Sequence, residues 1–403
     1  MRNNTVKIVL VSGARSNYMK IAPIVWAIRR LNRRGGAPIQ SLLIHTGQHY
    51  DPQLFDVFFR ELDLPAPDYR LDVGSGSHIH QTARVMERLE PILQQERPDL
   101  VVVVGDVNST VAAALTTAKL QFPLAHIEAG LRSFDRTMPE EINRMVTDTL
   151  SDYLFVTEES GKQNLLREGV DPKKIFFVGN VMIDSLQQSR HLWECSTVRE
   201  ELGLTRNVYG VTTLHRPANV DNGERLLKLM QAIAEVASRI PIIFPVHPRT
   251  RKQLEAVNGS VPGLQWGRKR VEAKGIYGLE PLGYLDFMAL VAGARIVLTD
   301  SGGIQEETTF LNVPCLTLRE NTERPVTVTH GTNRVIGTAP ETIIQETVRV
   351  LENPRPALPA PPLWDGNASD RIVSILQEKV KCCERGSKTT YHKTSRRSVA
   401  GVI

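Results

Sequence analysis

DLVVVVGDVNSTVAAALTTAKLQFPLAHIEAG, residues 99–130, reads as one complete β–α–β unit. A β-branched apolar run ends at Gly105-Asp106, a segment with helical periodicity follows, and a second apolar run, PLAHI, ends at Glu128. Such runs suit strands buried on both faces of a parallel sheet, which needs a crossover helix between neighbours. Each run also delivers a carboxylate to its carboxyl end, where open α/β sheets bind their ligands.

Outward from this unit the same alternation continues. VKIVLV (6–11), SLLIHT (41–46), YLFVT (153–157) and KKIFFVGNV (173–181) read as further strands of a first half. VYGVTTL (208–214), IPIIFPV (240–246), ARIVLT (294–299) and VPCLTL (313–318) restart the pattern. The expectation is an α/β protein of two Rossmann-like domains, residues 1–180 and 181–366, with a hinge near residue 180. Five prolines in 354–362 read as a stiff connector to an amphipathic helix over 368–381, and 384–403 as a polar, disordered tail.

A chain of 403 residues, 41% apolar and 23% charged, is globular and long enough for two cores. No apolar run approaches the roughly 18–20 residues of a membrane span, and MRNNTVKIVLVSG reads as a buried first strand, not a signal peptide. A cytoplasmic protein without a membrane partner is expected. The chain has 49 Lys/Arg against 44 Asp/Glu, but from Lys379 onward there are seven against one, which leaves 42 against 43 before it. A near-neutral body without an aromatic-studded basic face argues against nucleic acid as a partner. Cys195, Cys315, Cys382 and Cys383 lack CxxC or Cys/His spacing. HIE (126–128) is similar to part of a deaminase zinc motif, but no P-C-x-x-C follows, so reduced thiols and no metal are expected.

Polar groups stand at one strand end after another: Arg15 and Lys20, Gln48-His49, Asp106, Glu128, His215-Arg216 and His247. Any one of them alone reads as a cap or a turn residue; together, at the same edge, they point to a ligand. The clearest phosphate signal is LTDSGGIQEE (298–307), where Ser301-Gly302-Gly303 turn from a strand into a helix N-terminus. Glu306 and Glu307 are expected to accept hydrogen bonds from a ribose. The loop is not GxxxxGK[ST], and neither it nor GSGSHI (74–79) completes GxGxxG. A nucleoside diphosphate held by the second half fits better than ATP hydrolysis or a dinucleotide. Twelve residues after Glu128 comes an acidic pair, Glu140-Glu141.

GDVNST, HIEAGLRS…PEEINR, GNVMID, HRPAN, PVHPRT, DSGGIQEE and ENTERPVTVTHGTN, in that order between about residues 6 and 378, resemble the non-hydrolysing UDP-N-acetylglucosamine 2-epimerase family. The resemblance implies a glycosyltransferase-B-type fold whose last helix crosses back to the first domain. It implies inversion at C2 of a UDP-sugar through elimination and re-addition of UDP, without a cofactor, by a homodimer. It assigns Asp106, Glu128 and Glu140 to acid/base work on the two faces of C2, which leaves Glu141 to read as an ordinary helix N-terminal charge. Arg15, Lys20, Arg144 and His215 would meet the diphosphate charge, with His247 and Arg324 as further candidates. Ser301, Gly302, Gly303 and Glu307 would hold phosphate and ribose, and Phe287 would lie against uracil unless it is a core residue. Gln48 belongs to the same matched strand-end set. Ser16-Asn17 replaces the family's Pro-Glu, the Arg132–Glu140 segment is shortened, and Asp51 replaces a Gln or Glu of an activating second site. Rival readings are a 2-epimerase of a UDP-diacetamido-uronic acid, a hydrolysing 2-epimerase, a glycosyltransferase and a non-catalytic sugar-nucleotide sensor.

Overall fold

The computed structural model describes residues 5–35, 38–48, 52–256, 261–267, 270–353 and 358–386. His49, Asp51, part of the proline-rich connector (354–357), residues 387–403 of the expected tail and the side chain of Arg15 lie outside the described residues, and 384–386, expected to begin the tail, belong instead to the last helix.

Two parallel sheets of seven strands each form the framework. The first contains β1 (Val6–Ser12), β2 (Ile39–His45), β3 (Tyr69–Arg70), β4 (Leu100–Val104), β5 (Leu124–Ile127), β6 (Tyr153–Val156) and β7 (Ile175–Phe177). The second contains β8 (Gly210–Thr213), β9 (Ile242–Pro245), β10 (Leu264–Trp266), β11 (Ile276–Leu279), β12 (Ile296–Thr299), β13 (Cys315–Thr317) and β14 (Asn333–Val335). Their orders are β3-β2-β1-β4-β5-β6-β7 and β10-β11-β9-β8-β12-β13-β14. The order reverses beside β1/β4 in one sheet and beside β8/β12 in the other, and a crevice opens at such a reversal. All residues of β4 and of β12 are buried, as their unbroken apolar runs require.

Between the sheets the chain is packed. The helix Val181–Gln188 and the buried Trp193 join Tyr18, Phe58 and Phe59 of the first domain to Tyr209, Tyr284 and Met288 of the second in one apolar cluster. Glu61 reaches across to accept the Tyr284 amide at 2.7 Å and the Leu285 amide at 3.4 Å, at the start of the helix Tyr284–Gly293.

The last helix, Ala368–Gly386, returns to the first domain and packs on the helix Arg15–Arg33. Asp184 accepts its Ala368 and Ser369 amides at 3.1 and 2.7 Å, taking up donors that a helix start leaves unpaired. Ile372, Val373 and Leu376 are buried, and Arg30 pairs with Asp370 at 2.9 Å. This is the two-domain, glycosyltransferase-B-type arrangement that the motifs imply.

Four strands go beyond the sequence reading: β3, β10, β11 and β14. Each has four residues or fewer. In β11 Gly278 breaks the apolar signal, because an added Cβ would stand 2.8 Å from the Trp266 ring. KKIFFVGNV is a strand only over β7; the Asn180 side chain then accepts the Met182 amide and starts a helix.

Candidate active site

The carboxyl ends of β4 and β5 place Asp106 and Glu128 side by side, and their backbones are bent to do so. Gly105 has φ 65°, and an added Cβ there would meet Lys20 Nζ at 2.8 Å. Glu128 itself has φ 70°, a left-handed conformation that costs a non-glycine residue about 1–3 kcal/mol and clusters at functional sites. Its buried side chain accepts from Lys20 Nζ in a short ion pair. Beneath the two turns His126 is fully buried, with Nδ1 2.6 Å from Asp148 and Nε2 2.8 Å from the Gly105 carbonyl.

Asp106 keeps 22% of its side chain exposed. Its Oδ2 lies 2.5 Å from Arg144 Nη1, and its carbonyl accepts from Asn143 at 2.8 Å. Burial works to raise this carboxyl, but Arg144, with Lys20 and Arg324, holds it below the ordinary aspartate value. Asn17, one of the two departures in the first loop, bridges this region. Its Oδ1 accepts the Ala14 amide at 3.0 Å, and its Nδ2 donates to the Val104 carbonyl at 3.1 Å.

From the second domain Arg324 reaches the same place. It is buried, 2.5 Å from Glu323, 2.9 Å from Glu306 and 3.9 Å from Glu128 across the cleft. Arg216 joins Glu323 (3.6 Å) and, again across the cleft, Glu140 (3.4 Å). His215 Nδ1 lies 2.9 Å from the buried Asp300, whose carboxylate also accepts the His215 and Arg216 amides. Burial would raise Asp300, but His215 and these amides hold it low. The His247 ring is 5.9 Å from that of His215.

In the helix Gly302–Phe310, Ser301 is the N-cap and makes no side-chain hydrogen bond to the first amides. Gly302 is required by crowding: a Cβ there would lie 2.4 Å from Arg324 Nη1 and 2.7 Å from Glu323 Oε1. A Cβ at Gly303 would meet only the Met182 methyl, at 3.5 Å, which leaves room above the turn.

Thus Lys20, Asp106, Glu128, Glu140, Arg144 and Arg324 converge, with His215, His247 and the Ser301–Gly303 turn on the facing side. Gln48 does not join them; its Oε1 accepts the Ser109 hydroxyl at 2.7 Å and the Ser109 amide at 3.2 Å within the first domain. Phe287 is half-buried and packs against the shared core, in keeping with its core reading.

Two expectations need correction. Glu306 is not open to a ribose: it is fully buried, paired with Arg324 and accepting from Asn180 at 2.9 Å. Burial together with the Glu128 charge raises its carboxyl to about 7, against the pull of Arg324. Glu307 is buried beside it, and burial plus Glu306 raises it to about 8. Glu141 is no ordinary helix-end charge either, since it is buried and holds both Arg144 and the Ser133–Phe134 backbone. Sequence reasoning named Arg216 only as a strand-end group without a role, and passed over Asp300 and Glu323, although each lies inside a quoted motif at a strand end or turn.

Comparison with known proteins adds the family. The family described as UDP-N-acetylglucosamine 2-epimerase matches residues 30–377. The UDP-N-acetylglucosamine 2-epimerase of Methanocaldococcus jannaschii is 43% identical over 376 residues, covering 92% of this chain and 99% of that protein. A crystal structure of the M. jannaschii enzyme in complex with UDP-GlcNAc and UDP superposes with a TM-score of 0.83 at 42% identity, covering 93% of this chain and all of the other. The UDP-2,3-diacetamido-2,3-dideoxy-D-glucuronate 2-epimerase of Pseudomonas aeruginosa is 38% identical, covering 84% of this chain and 91% of that protein.

Proposed function

The chain belongs to the UDP-N-acetylglucosamine 2-epimerase family, and from that membership we propose that it interconverts UDP-N-acetylglucosamine and UDP-N-acetylmannosamine. The observation that carries the reading is the convergence of Asp106, Glu128 and Glu140 with Lys20, Arg144, Arg324, Arg216 and His215 at one cleft. The C2 hydrogen of such a sugar is weakly acidic. Its removal is feasible when the electron pair of the C2–H bond forms a C1=C2 double bond while the C1–O pair leaves with UDP. One carboxylate takes the proton; the cations meet the charge of the departing diphosphate. Return of UDP to C1 and delivery of a proton to the opposite face of C2 complete the inversion, so acid/base groups are needed on two sides. Carboxylates on two strand ends and on a separate helix suit that demand.

In this reading Ser301, Gly302 and Gly303 receive phosphate at the helix start, while Glu307, buried here, and Phe287, packed on the core, keep their ribose and uracil roles only through the motif resemblance. Arg15 and Gln48 are carried over from the motif match alone. We infer likewise a homodimer working in the cytoplasm, which light scattering and cell fractionation test.

Incubation with UDP-GlcNAc in deuterated water, followed by NMR, tests the reaction. Deuterium at C2 of both epimers, with the same mixture reached from either side, is expected. Stoichiometric free N-acetylmannosamine would show a hydrolysing enzyme. Turnover of the diacetamido-uronate alone would move the chain to the substrate of its Pseudomonas relative.

A further inference from the structure

Glu140 and Glu141 are consecutive on the helix Pro139–Leu150, so their side chains leave it about 100° apart. Glu140 points outward to Arg216, with 34% of its side chain exposed. Glu141 points inward and keeps 2%. Its Oε2 lies 2.6 Å from Arg144 Nη2 and 3.1 Å from Arg144 Nε, and accepts the Ser133 amide at 2.9 Å and hydroxyl at 3.1 Å. Its Oε1 accepts the Phe134 amide at 3.0 Å.

Two things depend on this one carboxylate. Arg144 spends Nε and Nη2 on Glu141, which leaves Nη1 aimed at Asp106 Oδ2, 2.5 Å away. The guanidinium is planar, so fixing two of its nitrogens fixes the third. Phe134 is held with φ 59° and a side chain 76% exposed, at the rim of the same loop. A bulky residue adopts that backbone only where its surroundings hold it, and the amide bond to Glu141 supplies such a hold.

We propose that Glu141 is a positioning residue of the acid/base site, which orients Asp106 through Arg144 and pins the Ser133–Phe134 loop that borders it. It touches neither substrate nor reacting atoms. Its loss would free Arg144 to turn its full fork onto Asp106 and would remove a neighbouring negative charge. Both effects favour ionised Asp106 and make it a weaker base. Asp106 is otherwise faced by Lys20, Arg324 and Glu323, none of which the substitution alters.

The test uses the full chain with ¹³C-labelled aspartate carboxyls, the Asp106 resonance being identified by its loss in D106N. In E141Q the Asp106 titration is expected to move down by about half a pH unit or more. The kcat is expected to fall about tenfold to hundredfold with KM within about threefold. E141D keeps the charge but is one methylene too short to serve both Arg144 and the loop amides. It is expected to recover part of kcat, and it decides the matter if E141Q fails to fold. An Asp106 titration coincident with wild type in the folded variant, or a lowered Tm with kcat intact, overturns the proposal. The kinetic arm rests on the epimerase reading. If wild type gives no exchange at C2 of UDP-GlcNAc, that reading falls, while the Asp106 titration still decides the role of Glu141.

Discussion

Arg216 Nη1 stands 3.4 Å from Glu140 Oε1, and the two side chains come from different domains. Both are partly exposed, at 18% and 34%, so the pair contributes no more than about 1 kcal/mol to holding the cleft shut. A weak contact between an acid/base candidate and a diphosphate-binding candidate is one a ligand can displace.

Amide variants isolate proton transfer from shape. D106N, E128Q and E140Q are each expected to lose about 10²–10⁴ in turnover. UDP affinity by calorimetry should stay within about tenfold of wild type, because the phosphate turn at Ser301–Gly303 is untouched. Near-normal C2 exchange in all three would refute the acid/base assignment.

Gly302→Ala tests the turn itself. The new methyl must displace Arg324 Nη1 from a 2.4 Å contact, and Arg324 is held by Glu323 and Glu306 in a buried cluster. Overpacking of this kind costs about 1–3 kcal/mol. Thermal melts should register that loss together with weaker UDP binding. G303A meets only a methyl at 3.5 Å and should keep its Tm while losing UDP.

Glu307 gives stability a pH dependence. Its carboxyl is raised to about 8 by burial and by Glu306, against 4.5 for an unperturbed glutamate. Between those values the folded chain holds a proton that the unfolded chain releases, so stability is full below about 4.5 and declines as pH rises through 8. E307Q removes the proton and should flatten the fall in Tm between pH 6 and 9 in the ligand-free protein. A parallel fall in both proteins would count against it.

Glu61 caps a helix of the other domain. Its Oε1 would stand 2.3 Å from a Cβ at Gly283, so the fit is tight on both sides. E61A leaves the Tyr284 amide without its acceptor and should cost about 0.5–2 kcal/mol, measured by urea unfolding. G283A should do the same by collision. If either substitution is silent, the contact is not part of the folded state in solution.

The sequence carried the strands that are long, β-branched and central, since an unbroken apolar run such as Leu100–Val104 has no other soluble home. It missed β3, β10, β11 and β14, which are short and lean on neighbours for their burial. Asp106 and Glu128 drew notice only because one strand end after another carries a polar group, since each alone reads as a cap, and Arg144 entered only through the motif resemblance. Gln48 stands at a strand end as read, but nothing in the chain order tells that Ser109 claims its amide oxygen. Glu141 was misread for the opposite reason. A helix-end carboxylate is commonplace, and only the fold shows Arg144, Ser133 and Phe134 closing on it.

The returning helix has a consequence for how the molecule comes into being. The first sheet is written into the chain by Phe177, yet the helix whose Ile372, Val373 and Leu376 cover it lies beyond the entire second sheet. Emerging from a ribosome, the first domain must wait, its flank bare, until its partner has been synthesised. Asp184, at the threshold between the two, keeps a carboxylate in reserve for amides that arrive some 180 residues later. A chain halted or cleaved between the sheets would therefore not yield two working halves, and the first half to be made would be the one left sticky.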